Sequence, residues 1–395
     1  MLYYYAAYYE EKMGEDEAAK KSLEKAESCA FDYCFPNKLD DIAVLTFAIE
    51  NGCKKKAPYY LGNLFYDKLQ WKKSVELWEM SEKADDTFSI VHRNLALAYY
   101  NKMGDSKAAK RELEKAFSLN RKDARIFLEL DQLYKKLGYS FKERLAKYDE
   151  DPSLAESRDD LYIEYITLMN MCGEYERAYR CIMGRRFHPW EGGEGKITTQ
   201  YTISLLEMAK QCLASEKYEQ AEKLLKKALV YPENLGEGKL EGTKDNHLFY
   251  HLGLALEAQG KHDEAKTCFE TATIGTDEPA GAMYYNDQPA DMILYQGLAF
   301  EKLGKTREAK SRFYRLIDYG EQHLNDEGKI EYFAVSLPDF LIFDEDYTKK
   351  NRAHCCYLMA LGNIGLQNRE KAAEFLNEAL EIEPSHMMAT LYQKQ

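Results

Sequence analysis

Apolar residues recur three and four positions apart in block after block of this chain, with charged residues between them, and that period predicts amphipathic helices rather than strands. The clearest block runs from His247 to Ile274. It sets Phe249, Leu252, Gly253 and Leu256 on one stripe, breaks at Gly260, and resumes with Ala265, Phe269 and Ala272 on a second stripe. Two stripes joined at a glycine predict a hairpin of two helices that bury their apolar faces against each other. The small residue on the first stripe lets the helices approach closely. Equivalent small positions fall at Gly62, Ala96, Ala209, Gly253, Gly297 and Ala360.

On this pattern the chain holds about nine hairpins. They lie around Tyr3 to Cys29, Pro58 to Ala84, His92 to Leu119, Phe127 to Tyr148, Tyr162 to Met183, Leu205 to Tyr231, Phe249 to Ile274, Ile293 to Tyr319 and Cys356 to Pro384. An extra helix is expected near residues 37–51. The fourth hairpin is degenerate, because Glu143 stands where the second helix normally has alanine, and the fifth has Ile166 at the small site. The pattern resembles the tetratricopeptide repeat. That resemblance implies an all-α fold, a right-handed α-solenoid in which each hairpin packs only on its neighbours.

The spacing changes part-way along. From Gly62 through Ala96, Asp131 and Ile166 the equivalent position advances by 34 or 35 residues, and from there through Ala209, Gly253, Gly297 and Ala360 it advances by 43 or more. Residues 1–183 therefore predict a regular array, and residues 184–395 an array with long inserted loops at 184–200, 232–246, 275–290 and 318–350, the two forming one continuous superhelix. All four insertions connect the second helix of one repeat to the first helix of the next. Such connections emerge on one edge of a solenoid, so the four are expected side by side, building one composite surface.

Acidic residues outnumber basic ones by 67 to 54, giving a net charge of −13, and the basic residues are scattered rather than gathered in a stripe. A field of that sign repels phosphate backbones and anionic lipids, so neither nucleic acid nor a membrane is an expected partner. The nine cysteines lack the paired spacings of a zinc site or a disulfide framework and read as small packing residues in a reducing compartment. No apolar run is long enough to span a bilayer, and the first residues lack a signal-peptide pattern, which together predict a cytoplasmic protein. Both ends fall within helix-forming sequence, so the chain is expected to be part of a larger protein.

The insertions carry the candidate chemistry. The first, GRRFHPWEGGEGKITTQ, brings Arg185, Arg186, His188, Trp190, Glu191, Glu194 and Lys196 around Gly192, Gly193 and Gly195. The second adds Glu233 and Asn234, and the third Tyr284, Tyr285, Asn286, Asp287 and Gln288. Aromatic faces beside carboxylate, amide and guanidinium groups suit a polyhydroxylated ligand, whose C–H faces stack on rings and whose hydroxyls exchange hydrogen bonds. The alternative is that these side chains form the loops' own small core and pair with each other. No catalytic residue is assigned, because two carboxylates close in sequence do not establish a glycosidase geometry. Neither a metal nor a cofactor is expected, since no second His or Cys stands at ligand spacing from His188. In the fourth insertion Phe333, Val335, Leu337, Phe340, Leu341 and Phe343 are expected to pack under the loop, with Asp339, Asp344 and Asp346 as an acidic rim.

A separate surface is the face of the first helices, where Asn63, Asn94 and Arg125 resemble part of the carboxylate clamp of chaperone-binding tetratricopeptide domains. Tyr59 and Glu129 depart from that clamp, replacing residues expected to be basic. The ordered motifs GRRFHPWEGGEGK, YPENLGEGKL, AMYYNDQP and YFAVSLPDFLIFDED resemble the carboxyl-terminal region of large uncharacterised bacterial proteins in which a mutarotase-like β-sandwich precedes the repeats. The resemblance implies a partner that is a protein or an upstream domain of that kind, with a carbohydrate association. Three readings follow: a non-catalytic scaffold whose loops dock to a carbohydrate-active domain, a saccharide-binding or saccharide-processing module using loop carboxylates and aromatics, and a peptide-binding adaptor using the first-helix groove.

Overall fold

A glycine on the first helix of a hairpin faces an aromatic ring sixteen residues later on the second, at Gly62 and Trp78, Gly253 and Phe269, and Gly297 and Phe313. A Cβ added to any of these glycines would lie 2.2 to 2.5 Å from the ring, so only the bare Cα permits the close approach. The computed structural model describes residues 1–188, 190, 192–281, 288–328 and 342–394. Among the described residues the regular structure is helical and no strand occurs.

The first compact unit comprises Met1–Leu137 with Ile342–Asp344. It contains the hairpin α1 (Leu2–Lys12) and α2 (Asp16–Ser28), the extra helix α3 (Leu39–Glu50), the hairpin α4 (Lys56–Asp67) and α5 (Trp71–Ala84), the hairpin α6 (Ser89–Ala98) and α7 (Ser106–Leu119), and α8 (Ala124–Lys136). Tyr4, Leu45, Leu64, Trp78 and Leu95 anchor a continuous core beneath these helices. Each such side chain contributes about 1.5–3 kcal/mol by leaving water.

The second unit comprises Gly138–Leu341 and Glu345–Gln395. It begins with α9 (Phe141–Asp149) and the short α10 (Pro152–Glu156), followed by the hairpins α11 (Asp159–Met171) with α12 (Tyr175–Met183) and α13 (Lys196–Ala214) with α14 (Tyr218–Ala228). Then come α15 (Asn246–Ala258) with α16 (His262–Ala272), α17 (Met292–Lys302) with α18 (Thr306–His323), α19 (Tyr347–Gly365) with α20 (Arg369–Ile382), and α21 (Met387–Gln393). The first helices α11, α13, α15, α17 and α19 contact one another in succession and form an inner layer. The fold is a tetratricopeptide-type α-solenoid.

The degenerate fourth repeat is divided, with α8 in the first unit and α9 in the second. Glu143 is exposed and completes a capping box with Ser140, while Arg144 is buried and pairs with Glu164 of α11. Helix α9 therefore packs on the hairpin that follows it, as its contacts with α11 show. Helix α21 folds against the inner layer of the second unit: Leu391 packs with Met171 and Ile203, and Tyr392 donates to the Tyr295 hydroxyl at 2.7 Å.

Candidate functional site

The first two insertions are tied to each other by their own polar groups. Asp159, at the start of α11, pairs with the Arg185 guanidinium and accepts from the His188 backbone N–H at 2.8 Å. The Arg185 guanidinium lies 4.6 Å from the Tyr162 ring. Asn234 donates to the carbonyls of Ile182 and Arg185, both at 2.9 Å, and Phe187 returns a bond from its N–H to the Asn234 carbonyl at 2.8 Å. In the third insertion Gln288 closes a ring of bonds on the Thr276 backbone. Arg185, His188, Asn234 and Gln288 therefore each bond within the scaffold and help hold the loops in place.

Trp190 folds back over its own loop, close enough that a Cβ on Gly193 would meet the ring at 2.2 Å, and Lys196 lies 5.8 Å from the same ring. Lys196 also begins α13, so the first insertion is shorter than its expected span to Gln200. Arg186 and Glu233 are exposed on the loops. Glu191, Tyr284, Tyr285, Asn286 and Asp287 lie outside the described residues.

Where the insertions meet the inner layer of the second unit, they border a cavity of about 580 Å³. Glu194 and Gly195 of the first insertion, Glu237 and Leu240 of the second and Pro289 of the third share its lining. Its floor is made by α13, α15 and α17 through Glu207, Lys210, His247, Asp291 and Tyr295, and α21 adds Met388, Leu391 and Tyr392. The size is that of a small-molecule pocket, and the walls are mainly apolar with a few polar groups, the usual composition of such sites.

The electrostatics divide the cavity. Lys210 pairs with Glu207 at 2.7 Å; burial opposes its charge, but the neighbouring Tyr295 and Glu207 outweigh burial and raise its pKa. Lys239 holds Asp245 at 2.5 Å beside the cavity. Asp291 is pushed up to about 6 by burial, and burial drives His247 down to about 3, leaving a neutral imidazole. Glu237 is raised by burial and by the nearby charge of Glu194. These two carboxylates are held by single backbone donors, Gly195 N–H on Glu237 and Gly192 N–H on Glu194, both at 2.8 Å. Neither has a cationic partner among the described residues.

Of the residues singled out from the sequence, Glu194 alone among the described ones lines this cavity. The residues missed were Glu207 with Lys210 on α13, His247 on α15, Asp291 with Tyr295 on α17, and Glu237 on the second loop. A signal was present: charged and hydroxyl-bearing residues three and four apart on otherwise apolar first helices mark a polar stripe facing away from the packing stripe.

The end of the fourth insertion, Ile342–Asp344, belongs to the first unit. Helix α6 runs into a π-type turn at Tyr99–Met103, which presents Asn101 to the chain at Ile342–Asp344 within the first unit. Asn101 donates to the Ile342 carbonyl and accepts from the Asp344 N–H, both at 2.9 Å, while Phe343 is buried with its ring 4.9 Å from that of Tyr100. This segment is held by backbone and ring contacts of the first unit. Phe333, Val335, Leu337, Asp339, Phe340 and Leu341 lie outside the described residues. Asp344 pairs with Lys102 at 3.3 Å, and Asp346 caps α19 through the Lys349 N–H.

The clamp-like residues of the first unit are spent on one another. Asn94 donates to Asn63 Oδ1 at 3.1 Å, and Arg93 and Arg125 both pair with the buried Glu129 carboxylate. An arriving peptide carboxylate would have to displace Glu129. Glu82, His92 and Glu112 bring three ligand-type atoms within 4.8 Å of one another. His92 Nδ1 meets Glu112 at 2.8 Å and Nε2 meets the Asp86 carbonyl at 2.8 Å; burial lowers its pKa, and these acceptors more than reverse that. Both ring nitrogens point at acceptors, the arrangement of an imidazolium in an ion pair.

Models of the tetratricopeptide repeat match residues 94–123, 247–273 and 353–386, and a second tetratricopeptide model matches residues 291–319. The chain carries tetratricopeptide repeats. Among solved structures it is similar to a tetratricopeptide repeat protein from Parabacteroides merdae, with 14% identity over 78% of this chain and 100% of that one at a TM-score of 0.32. A second similar structure is YrrB, described as a tetratricopeptide protein with an unusual peptide-binding site, with 18% identity over 65% of this chain and 100% of that one at 0.23. A third is Naa15/Naa10 bound to HypK, with 12% identity over 99% of this chain and 59% of that one at 0.38. At these TM-scores the likenesses carry no argument about what this chain binds.

Proposed function

We propose that the chain is a non-catalytic scaffold that docks a carbohydrate-active partner domain, of the mutarotase-like β-sandwich kind, on the insertion-bearing side of its second unit. The observation that supports this reading is the shared cavity rim, where residues from three insertions separated in sequence come together. Solenoids bind through surfaces assembled from several repeats, and loops held rigid by internal bonds lose little entropy on docking. Arg185, Asn234 and Gln288 supply that rigidity, while Arg186 and Glu233 are left exposed to meet a partner.

The test is a calorimetric titration of the chain with a purified mutarotase-like β-sandwich domain. Arg186→Glu and Glu233→Lys should each weaken binding about tenfold, a cost of about 1.4 kcal/mol. Asn63→Ala and Asn94→Ala should leave it unchanged. The opposite pattern would replace this reading with the peptide adaptor, and turnover of a glycan panel abolished by Glu194→Gln would replace it with a saccharide-processing enzyme.

A further inference from the structure

We infer that the cavity of the second unit is a binding site for an organic ammonium, a protonated primary amine carried on an aromatic or otherwise apolar body. The inference goes beyond the docking reading and stands on the cavity alone.

Three independent features point the same way. The first is the sign of the uncompensated charge. Lys210 is paired with Glu207 and Lys239 with Asp245, and Asp291 has Lys210 and the Tyr357 hydroxyl nearby, which among the described lining residues leaves Glu194 and Glu237 against Lys244. Glu194 and Glu237 are near enough to repel, and each uses one carboxylate oxygen on a backbone N–H. A –NH3⁺ group between them supplies three donors where two acceptors stand unneutralised, and charge-assisted bonds of this kind are the strong ones.

The second feature is the wall. Ile203, Leu206, Met292, Met388 and Leu391 offer apolar and thioether surface along the interior, suited to a ring or alkyl body. The third is an orphan. His247 Nδ1 is buried and has no hydrogen-bond partner among the described residues. An unmade buried hydrogen bond costs about 1–3 kcal/mol, and an indole N–H or phenol O–H on the ligand body would recover it. Asp291, 6% exposed, adds a further carboxyl to the same lining.

The same ammonium chemistry can arrive on a free amine or on a lysine side chain, and the experiment separates them. Tryptamine, tryptophol and indole-3-propanoate, which share a ring system and differ in charge, are titrated against the full chain by calorimetry, with a lysine-containing peptide as a fourth arm. Tryptamine should bind at least about tenfold more tightly than either the neutral or the anionic analogue. Glu237→Gln should weaken tryptamine several-fold and leave tryptophol unchanged, and Asp291→Asn, checked for an unaltered melting curve, should do the same. Glu264→Gln on α16, outside the cavity, should change nothing. Tighter binding of the peptide than of tryptamine would assign the site to a partner's lysine. Equal binding of all three indoles, no binding at millimolar tryptamine, or indifference to Glu237→Gln in a folded variant would overturn the inference.

Discussion

At the residue scale, the glycines of the first helices matter because of what they touch. Phe313 is fully buried between Gly297 and Gly365, and a Cβ on either glycine would stand 2.1 to 2.2 Å from the ring. Gly297→Ala gains about 1 kcal/mol of helix propensity. Against this, overpacking in a site whose occupant cannot retreat costs about 1–3 kcal/mol. The clash outweighs the gain, so the variant should be less stable by about 1–2 kcal/mol, seen as a melting temperature a few degrees lower. Unchanged or raised stability would mean that Phe313 has room to move. These positions were legible in the sequence, since a small residue recurs at the period of the repeat and the bulky residue it faces lies sixteen positions on. The cavity residues were not, because Lys210 and Asp291 look like any charged residue on a helix until the loops that cover them are placed.

At the element scale, neighbouring hairpins are joined by ion pairs as well as by apolar contact. Glu222 on α14 accepts from Lys226 at 2.6 Å, from Lys261 at 2.8 Å and from Gln259 at 2.9 Å, the last two at the turn between α15 and α16. The bonds to Lys226 and Lys261 hold its pKa down to about 2, against a usual value of 4.5. A carboxylate with a depressed folded-state pKa contributes stability that is complete above the unfolded value and is lost as pH falls through the folded one. The wild-type chain should therefore exceed Glu222→Gln in stability at neutral pH by about 1 kcal/mol, and the gap should close between about pH 4.5 and 2. Parallel curves over that range, followed by thermal melts, would refute the linkage. The helices themselves were legible from period and turn residues. At the degenerate position of the fourth repeat, Glu143 serves a cap with Ser140. The docking of α21 had no signal in local periodicity, since it depends on Tyr295, nearly a hundred residues earlier.

At the scale of the molecule, loop lengths rather than repeats distinguish this chain. Three insertions border one cavity of the second unit, and the fourth closes on Asn101 in the first. The spacing of the repeats revealed where the insertions begin, and equivalence of their positions implied a common edge. What it did not reveal was the π-type turn that offers Asn101 and Tyr100 to Ile342–Asp344 within the first unit. In the first unit, the buried Glu129 carboxylate already pairs with Arg93 and Arg125, the two arginines beside the clamp-like asparagines.

The most direct test of the central claim is amide hydrogen exchange of the chain with and without a purified mutarotase-like β-sandwich domain. The account predicts slowed exchange over residues 192–202 and 236–247, at the cavity rim. Protection confined to α4, α6 and α8 of the first unit, with the rim unchanged, would contradict it.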